Sequence, residues 1–154
     1  MCLSAEVNFV ASAVIGAGGV ATLSHARHPR EVLFAAMPLL FALHQFTEGF
    51  VWLGLEGHID ELAFRNSAFL FILYAQGILP FLMPLAVLLI EEVPWRRRVI
   101  GIITAVAAVF SLYMIWGVVA FPTECYAEHR SIVYKNSVTE NIWTVLLYVF
   151  VTCG

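Results

Sequence analysis

Long apolar runs alternate with short polar connections along the chain. The runs that we count cover residues 5–23, 31–55, 63–90, 97–120 and 138–154. A helix needs about 20 residues to cross the roughly 30 Å hydrocarbon core of a bilayer. The first four runs reach that length, whereas the fifth, with about 17 residues, is marginal. The pattern predicts an all-α integral membrane bundle of about five transmembrane helices, and we expect residues 1–154 to form a single membrane domain.

The composition agrees with a membrane protein. Hydrophobic residues make up 61% of the chain and charged residues 12%, against about 45–50% and 25% in soluble domains. The net charge is only −3, and the basic residues form no long block. We therefore expect the lipid bilayer as a partner and no nucleic acid.

The three cysteines, Cys2, Cys125 and Cys153, are widely spaced. They form no Cys-x-x-Cys pair, so their spacing excludes a zinc finger or a thioredoxin-type redox motif. A disulfide between Cys2 and Cys125 is chemically possible if both face an oxidising compartment. Unpaired thiols are the simpler expectation.

The basic residues of the connections predict the orientation in the cell membrane. Those of the first and third connections are Arg27, Arg30, Arg96, Arg97 and Arg98, and those of the second and fourth are Arg65, Arg130 and Lys135. Because basic residues concentrate in cytoplasmic loops, this excess favours a cytoplasmic location for the first and third connections. We therefore expect the N-terminus outside and the C-terminus in the cytoplasm.

Polar side chains interrupt the second apolar run near its middle. His44, Gln45, Glu48 and Trp52 fall within about 100° of one another on a helix. An ionisable group at this depth costs roughly 2.5–3.5 kcal/mol on insertion scales, and such groups face a bundle interior or a water-filled cavity. We therefore expect this stripe to point inward and to be the best candidate for a functional site.

Other runs supply polar groups that we expect to join this stripe. Gln76 of the third run lies at a similar depth to His44. Pro80 removes the amide that would donate to the main-chain carbonyl of Gln76. Tyr148 of the fifth run is a further candidate for the same site. Three residues near the outer end of the first run are expected at an outer mouth, namely Cys2, Glu6 and Asn8.

The first run is also rich in small residues at helical spacing. These are Ser12, Ala13, Gly16, Ala17 and Ala21. Small residues four apart allow two helix backbones to approach closely in lipid. We expect them to pack helices within one protomer, and the alternative is a homo-oligomer interface.

Three interpretations of the polar stripe remain open. The first is a hydrogen-bonded core, in which a neutral Glu48 bonds to His44 or Gln45 and to Gln76 or Tyr148. The second is a proton or small-ligand site in which Glu48 titrates beside His44. The third is a metal or haem site at His44 and Glu48, whose four-residue spacing puts both on one helix face. A zinc site needs three or four protein ligands, and further ligands are scarce, so the cofactor is unknown.

Two motifs resemble a family of prokaryotic multi-pass membrane proteins of unknown function. One is the opening Met-Cys-Leu-Ser-Ala, where members of the family have Met-Cys-Phe-Ser-Ala. The other starts at His44 and fits the pattern (His/Gln)-Gln-x-x-Glu-Gly-x-x-Trp. The resemblance implies an integral membrane protein without a known activity. It also implies that this chain is a shortened member, because members of the family continue through further helices.

The resemblance changes the weight of the candidate residues. Members of the family carry either His or Gln in place of His44, which weakens a metal role for that residue. The emphasis therefore moves to Gln45, Glu48 and Trp52.

Two classes of function follow from the sequence. The preferred one is a non-enzymatic sensor, carrier or assembly factor that binds a proton or a small ligand at the polar stripe. The alternative is a membrane-embedded enzyme that uses Glu48 as an acid and base, with His44 or a bound metal. An enzyme would need a second reactive group within hydrogen-bond reach of Glu48.

Overall fold

The computed structural model of the protein describes residues 4–121, 124–128, 131–135 and 142–153. Its elements, in chain order, are α1 (Ala5–His25), α2 (Pro29–Leu55), α3 (Glu61–Ile72), a π-helical segment (Leu73–Ile78), α4 (Leu79–Ile90), α5 (Pro94–Ala120), β1 (Glu124–Glu128), β2 (Ser131–Lys135) and α6 (Ile142–Cys153). The predicted all-α fold class is confirmed.

Four helical runs in the described part of the chain are long and apolar enough to cross a membrane. They are Ala5–His25, Pro29–Leu55, Glu61–Ile90 and Pro94–Ala120. The described part of α6 has 12 residues, or about 18 Å of helix at 1.5 Å per residue. The remainder of the fifth predicted run, residues 138–141 and 154, lies outside the described residues.

Local capping explains where the first two helices begin. The hydroxyl of Ser4 accepts a hydrogen bond from the amide of Val7 at 3.3 Å and caps α1. Helix α2 begins at Pro29, whose fixed φ and missing amide suit a first helical position. The carboxylate of Glu31 accepts from the amides of Arg27 at 3.1 Å and His28 at 3.3 Å. These contacts set the short turn between α1 and α2.

Contacts within the chain divide it into two compact units. The first unit comprises Met1–Ile72 and Glu124–Tyr134, and the second comprises Leu73–Thr123 and Lys135–Gly154. The single membrane domain inferred from the sequence stays a prediction.

Small residues bring α1 and α2 of the first unit close together. The hydroxyl of Ser12 donates to the carbonyl of Ala42 at 2.7 Å. A Cβ built on Gly16 would contact the Cβ of Ala42 at 3.5 Å, and one built on Gly19 would lie 2.6 Å from the amide nitrogen of Leu39. The contacts advance along α1 as they retreat along α2, so the two helices are antiparallel. Three small residues of the same helix are exposed instead, namely Ala13, Ala17 and Ala21.

The π-helical segment packs against α5 in the second unit. Gly77 packs against α5 so closely that a Cβ there would lie 2.7 Å from the Cγ1 of Ile115. In a ladder of i to i+5 bonds, the donor to the carbonyl of Ala75 would be residue 80, and Pro80 has no amide hydrogen. The hydroxyl of Tyr148 on α6 donates to this carbonyl at 2.9 Å. An aromatic side chain thus replaces the missing backbone donor.

Strands β1 and β2, which lie between α5 and α6 along the chain, pair into a two-stranded sheet. From the sequence we expected only a connection between two helices here. The signal was present in the aromatic and β-branched residues Tyr126, Ile132, Val133 and Tyr134, which favour strands.

Candidate functional site

A buried hydrogen-bonded chain of polar side chains joins α1 to α2 in the first unit. The side-chain amide of Gln45 donates to the Oδ1 of Asn8 and also to the Oε2 of Glu48, the latter at 3.0 Å. Asn8 is 1% exposed and Glu48 is 4% exposed. We call these residues, together with Trp52, the polar cluster. The carboxyl group of Glu48 is therefore held in the protein interior by a neutral amide.

Helix geometry explains how the sequence assembles the polar cluster. Gln45, Glu48 and Trp52 are three and four residues apart on α2, a spacing that places them on one face. Glu48 lies about 10 Å from the end of α2 at Leu55, and Asn8 lies about 5 Å from the start of α1 at Ala5. Because the two helices are antiparallel, these distances place both residues towards the same end of the helix pair.

Two N–H groups of the polar cluster are buried and have no acceptor among the residues that the structure describes. They are the Nδ2 of Asn8 and the Nε1 of Trp52. Trp52 is only 8% exposed. A buried donor that has lost its water costs about 1–3 kcal/mol when it is left unpaired, and lipid offers no substitute for the water. The cluster therefore combines a carboxyl group with two N–H groups that can still donate.

Three aromatic rings pack together beside Gly49, where α1 approaches α2. The rings of Phe9, Phe46 and Phe50 meet edge to face at centroid distances of 5.1–5.5 Å. A Cβ built on Gly49 would lie 2.7 Å from the ring of Phe9. The glycine next to Glu48 thus lets the Phe9 ring approach α2 directly.

His44 stacks on an aromatic ring of α3. Its imidazole lies 4.1 Å from the ring of Phe71 with 13° between the planes. Phe71 in turn stacks on Tyr134 of β2 at 4.9 Å. His44 is therefore the end of an aromatic column that links α2, α3 and the strand pair within the first unit.

The structure brings no further metal ligands to His44 and Glu48 within the described ranges. No group of three or more His, Cys, Asp or Glu side chains that could hold a metal ion occurs among the residues described. A metal at His44 and Glu48 stays a prediction without an additional protein ligand to support it.

Two residues that the sequence analysis assigned to the stripe belong to the second unit. Gln76 lies in the π-helical segment. Its side-chain Oε1 is buried without a hydrogen-bond donor from the described residues. Tyr148 bonds to the carbonyl of Ala75, as described above. Their expected participation in a common site with Glu48 stays a prediction.

The residues expected at an outer mouth have different placements. Cys2 lies outside the described residues, and Glu6 is exposed in the first turn of α1. Asn8 is buried and forms part of the polar cluster. Cys125 forms no disulfide with any residue that the structure describes. Cys2 lies outside the described residues, so the expectation of unpaired thiols stays a prediction.

Comparison with known proteins gives the family and no activity. Neither a curated protein nor a solved structure matches the chain. The match that is found covers residues 1–154, the full length of the sequence. It agrees with the resemblance to an uncharacterised family that the two sequence motifs suggested. With its apolar helical runs and its whole-length match, the chain belongs to a family of unknown function, DUF6629.

Proposed function

We propose that this membrane protein binds a proton or a small polar ligand at the polar cluster of Asn8, Gln45, Glu48 and Trp52. The role is non-enzymatic, that of a sensor, carrier or assembly factor. One observation carries the proposal. A carboxyl group that is 4% exposed lies in a cluster with two buried N–H groups that have no acceptor among the described residues.

The chemistry of the polar cluster defines what it can bind. The Nδ2 of Asn8 and the Nε1 of Trp52 offer hydrogen bonds to an acceptor such as a carbonyl, hydroxyl or water oxygen. Glu48 can accept a hydrogen bond or take up a proton. A ligand with one polar oxygen and one donor hydrogen would complement these groups. The proton alone would complement only Glu48.

The bond from Gln45 to Glu48 favours binding over catalysis. Gln45 is a neutral amide that cannot exchange a proton during a reaction, so it positions Glu48 and does not serve as a second acid or base. The ring of His44 stacks on Phe71. An enzyme that uses Glu48 as acid and base, with or without a metal, is the alternative that the experiment below separates from binding.

We also propose that the N-terminus is outside and the C-terminus is in the cytoplasm of a cell membrane. The distribution of basic residues between odd and even connections supports this orientation. In that orientation the polar cluster lies in the outer half of the helix pair, because Asn8 is in the first turns of α1. A proton or ligand that enters from the outer side would then have the shorter path to Glu48.

Infrared spectroscopy of the protein in lipid nanodiscs tests proton binding. We expect a carbonyl band of a protonated carboxyl group that changes with pH and disappears in Glu48→Gln. Glu6→Gln is the matched control, because Glu6 is an exposed carboxyl group at the same end of α1. The control variant should keep the band.

Native mass spectrometry of the same preparation tests ligand binding. We expect a small molecule that is retained by the parent protein and lost in Trp52→Phe, which removes the indole N–H and keeps an aromatic ring. A bound metal lost in both His44→Ala and Glu48→Gln would support the enzymatic alternative. The proposal fails if Glu48 gives no pH-dependent band and no small molecule is retained.

A further inference from the structure

We infer that the second unit binds one anionic phospholipid, with its phosphate group at Arg98 of α5 and an acyl chain in an apolar groove between α5 and α6. The lipid comes from the surrounding bilayer. All residues of this site belong to the second unit, in which α5 and α6 pack together. Lipid binding here does not depend on the function proposed for the polar cluster.

The groove is the first observation. It has a volume of about 610 Å³, and the described residues expose no polar atom in it. Its lining is one part of α5 together with one residue of α6, namely Ala105, Val106, Val109, Phe110, Tyr113 and Leu147. Clefts of about 300–1,000 Å³ are large enough to hold a small ligand. Because a polar group would find no hydrogen-bond partner in the groove, a hydrocarbon chain is the occupant that fits.

Arg98 is the second observation. It lies eleven residues before Val109 on α5, and a period of 3.6 residues places the two within about 20° of each other around the helix. Arg98 is exposed, and within the described part of the chain no hydrogen bond or ion pair involves its side chain. Arg96 instead stacks on Trp95, with 5.5 Å between its guanidinium carbon and the ring centroid. Arg98 therefore offers its guanidinium group on the face of α5 that carries the groove.

The distances along α5 fit one leaflet of a bilayer. Helix α5 begins at Pro94, and Trp95 in its first turn is 64% exposed, as is usual for tryptophan at the level of the lipid headgroups. From Arg98, the groove begins about 10 Å along the helix at Ala105 and has its middle about 16 Å along at Val109. One leaflet supplies about 15 Å of hydrocarbon, half of the roughly 30 Å core. An acyl chain whose headgroup lies at Arg98 thus reaches the groove.

Charge decides which headgroup fits. Residues 94–98 contain three arginines and no acidic residue, and the neighbouring Glu91 and Glu92 precede the helix. The carboxylate of Glu91 accepts from the amide of Val93 at 2.9 Å, so it is directed to the turn before α5. A guanidinium group binds a phosphate group through two parallel hydrogen bonds. A zwitterionic lipid would also bring a cationic group towards the arginines, so a lipid with a net negative charge is preferred.

Native mass spectrometry of the delipidated full chain in detergent tests the headgroup preference. The probes are phosphatidylglycerol and phosphatidylcholine with the same acyl chains. We expect the parent protein to bind phosphatidylglycerol more tightly by about fivefold or more, the gain expected from one arginine beside an anionic headgroup. Arg98→Gln should remove this preference. Arg96→Gln is the matched control, because it removes an equal charge from nearly the opposite face of α5 and should keep the preference.

Val109→Trp tests the groove in the same experiment. Val109 is 70% exposed, so a larger side chain fills the groove without entering the interior, and we expect loss of retained phosphatidylglycerol. Val119→Trp is the matched control. It makes the same change at a position that is 65% exposed and does not line the groove, so it should retain the lipid as the parent protein does.

Each of five results would overturn the inference. Equal retention of the two lipids by the parent protein is the first, and it does not depend on any variant folding. The second is a preference that survives Arg98→Gln, and the third is unchanged retention in Val109→Trp. Displacement of the lipid by excess inorganic phosphate would assign Arg98 to a free anion. A dimer that Val109→Trp dissociates would assign the groove to a second copy of the chain. None of these readouts involves Glu48, so failure here is distinguishable from failure of the proposed function.

Discussion

Asn8 of α1 and Gln45 of α2 are hydrogen-bonded in the interior of the first unit, although 37 residues separate them. This contact turns a polar stripe on one helix into a cluster shared by two. It also gives Gln45 two acceptors, since the same amide donates to Glu48. A substitution at Asn8, Gln45 or Glu48 should therefore alter the hydrogen bonding of the other two residues.

A double-mutant cycle should detect this coupling. Asn8→Ala and Gln45→Ala each leave a buried polar group without its partner, which costs about 1–3 kcal/mol. The double variant should lose less stability than the sum of the two, with a coupling of about 0.5–3 kcal/mol. The measurement is unfolding in detergent by chemical denaturant. The control is the cycle of Asn8→Ala with Thr47→Ala, because Thr47 bonds only to Leu43 of its own helix in the described contacts. Additive losses for Asn8→Ala and Gln45→Ala would contradict the hydrogen bond between Asn8 and Gln45.

Glu48→Ala should lower the thermal midpoint more than Thr47→Ala. Glu48 is 4% exposed and accepts from Gln45, so its removal leaves a cavity and an unpaired donor. The hydroxyl of Thr47 donates to the carbonyl of Leu43 at 2.9 Å, and in an α-helix this carbonyl also accepts from the amide of Thr47, so the loss of the hydroxyl should cost little. Equal midpoints for the two variants would show that Glu48 does not face the interior.

Gly19→Ala and Gly18→Ala should have opposite effects on stability. A Cβ at Gly19 would lie 2.6 Å from the backbone nitrogen of Leu39, which cannot move without displacing α2. Overpacking of this kind costs about 1–3 kcal/mol. A Cβ at Gly18 has nothing within 4 Å, and alanine stabilises a helix interior by about 0.5–1 kcal/mol relative to glycine. Thermal midpoints in detergent would check the signs, and a loss for both variants would contradict the close approach of α1 and α2.

Hydropathy and the helical period predict much of the fold from the sequence alone. The start of α2 at Pro29 follows from proline chemistry and local capping. The common face of Gln45, Glu48 and Trp52 follows from the 3.6-residue period. These features depend on residues within one helix, so the sequence carries them directly.

Pairing between helices is not encoded in the same way. Periodicity indicates which face of α2 turns inward, but it does not say that Asn8 lies opposite Gln45 or that His44 meets Phe71. Each contact depends on the axial offset between two neighbouring helices. The offset between α1 and α2 follows from their close approach at Gly16 and Gly19, whereas the His44 contact depends on the separate packing of α3 against α2. Pro80 predicts that the ladder of backbone hydrogen bonds is interrupted. The π register and the bond from Tyr148 to Ala75 could not be predicted, because they depend on how the elements pack, including where α6 lies.

Alkylation of Cys125 should be slow at neutral pH. Burial raises the pKa of the Cys125 thiol to about 11, against about 8.5 for an unperturbed cysteine. Only the thiolate reacts, so the rate should rise about tenfold per pH unit between pH 7 and pH 10 without levelling off. The measurement is the rate of iodoacetamide labelling in a Cys2→Ser, Cys153→Ser background. As control, Leu62→Cys with Cys125→Ser places a thiol at an exposed position, where the rate should level off above pH 9.

Tyr148→Phe should destabilise the second unit by about 1–3 kcal/mol, since it removes the hydroxyl that donates to the part-buried carbonyl of Ala75. Pro80 has no amide with which to replace the lost bond in the π register. Tyr113→Phe is the matched control, because Tyr113 is 46% exposed on α5 and its loss should change little. Hydrogen exchange should show faster opening around residues 73–78 in Tyr148→Phe than in the parent protein. If both variants exchange at the parent rate, the hydroxyl of Tyr148 is not what holds the π-helical segment in place.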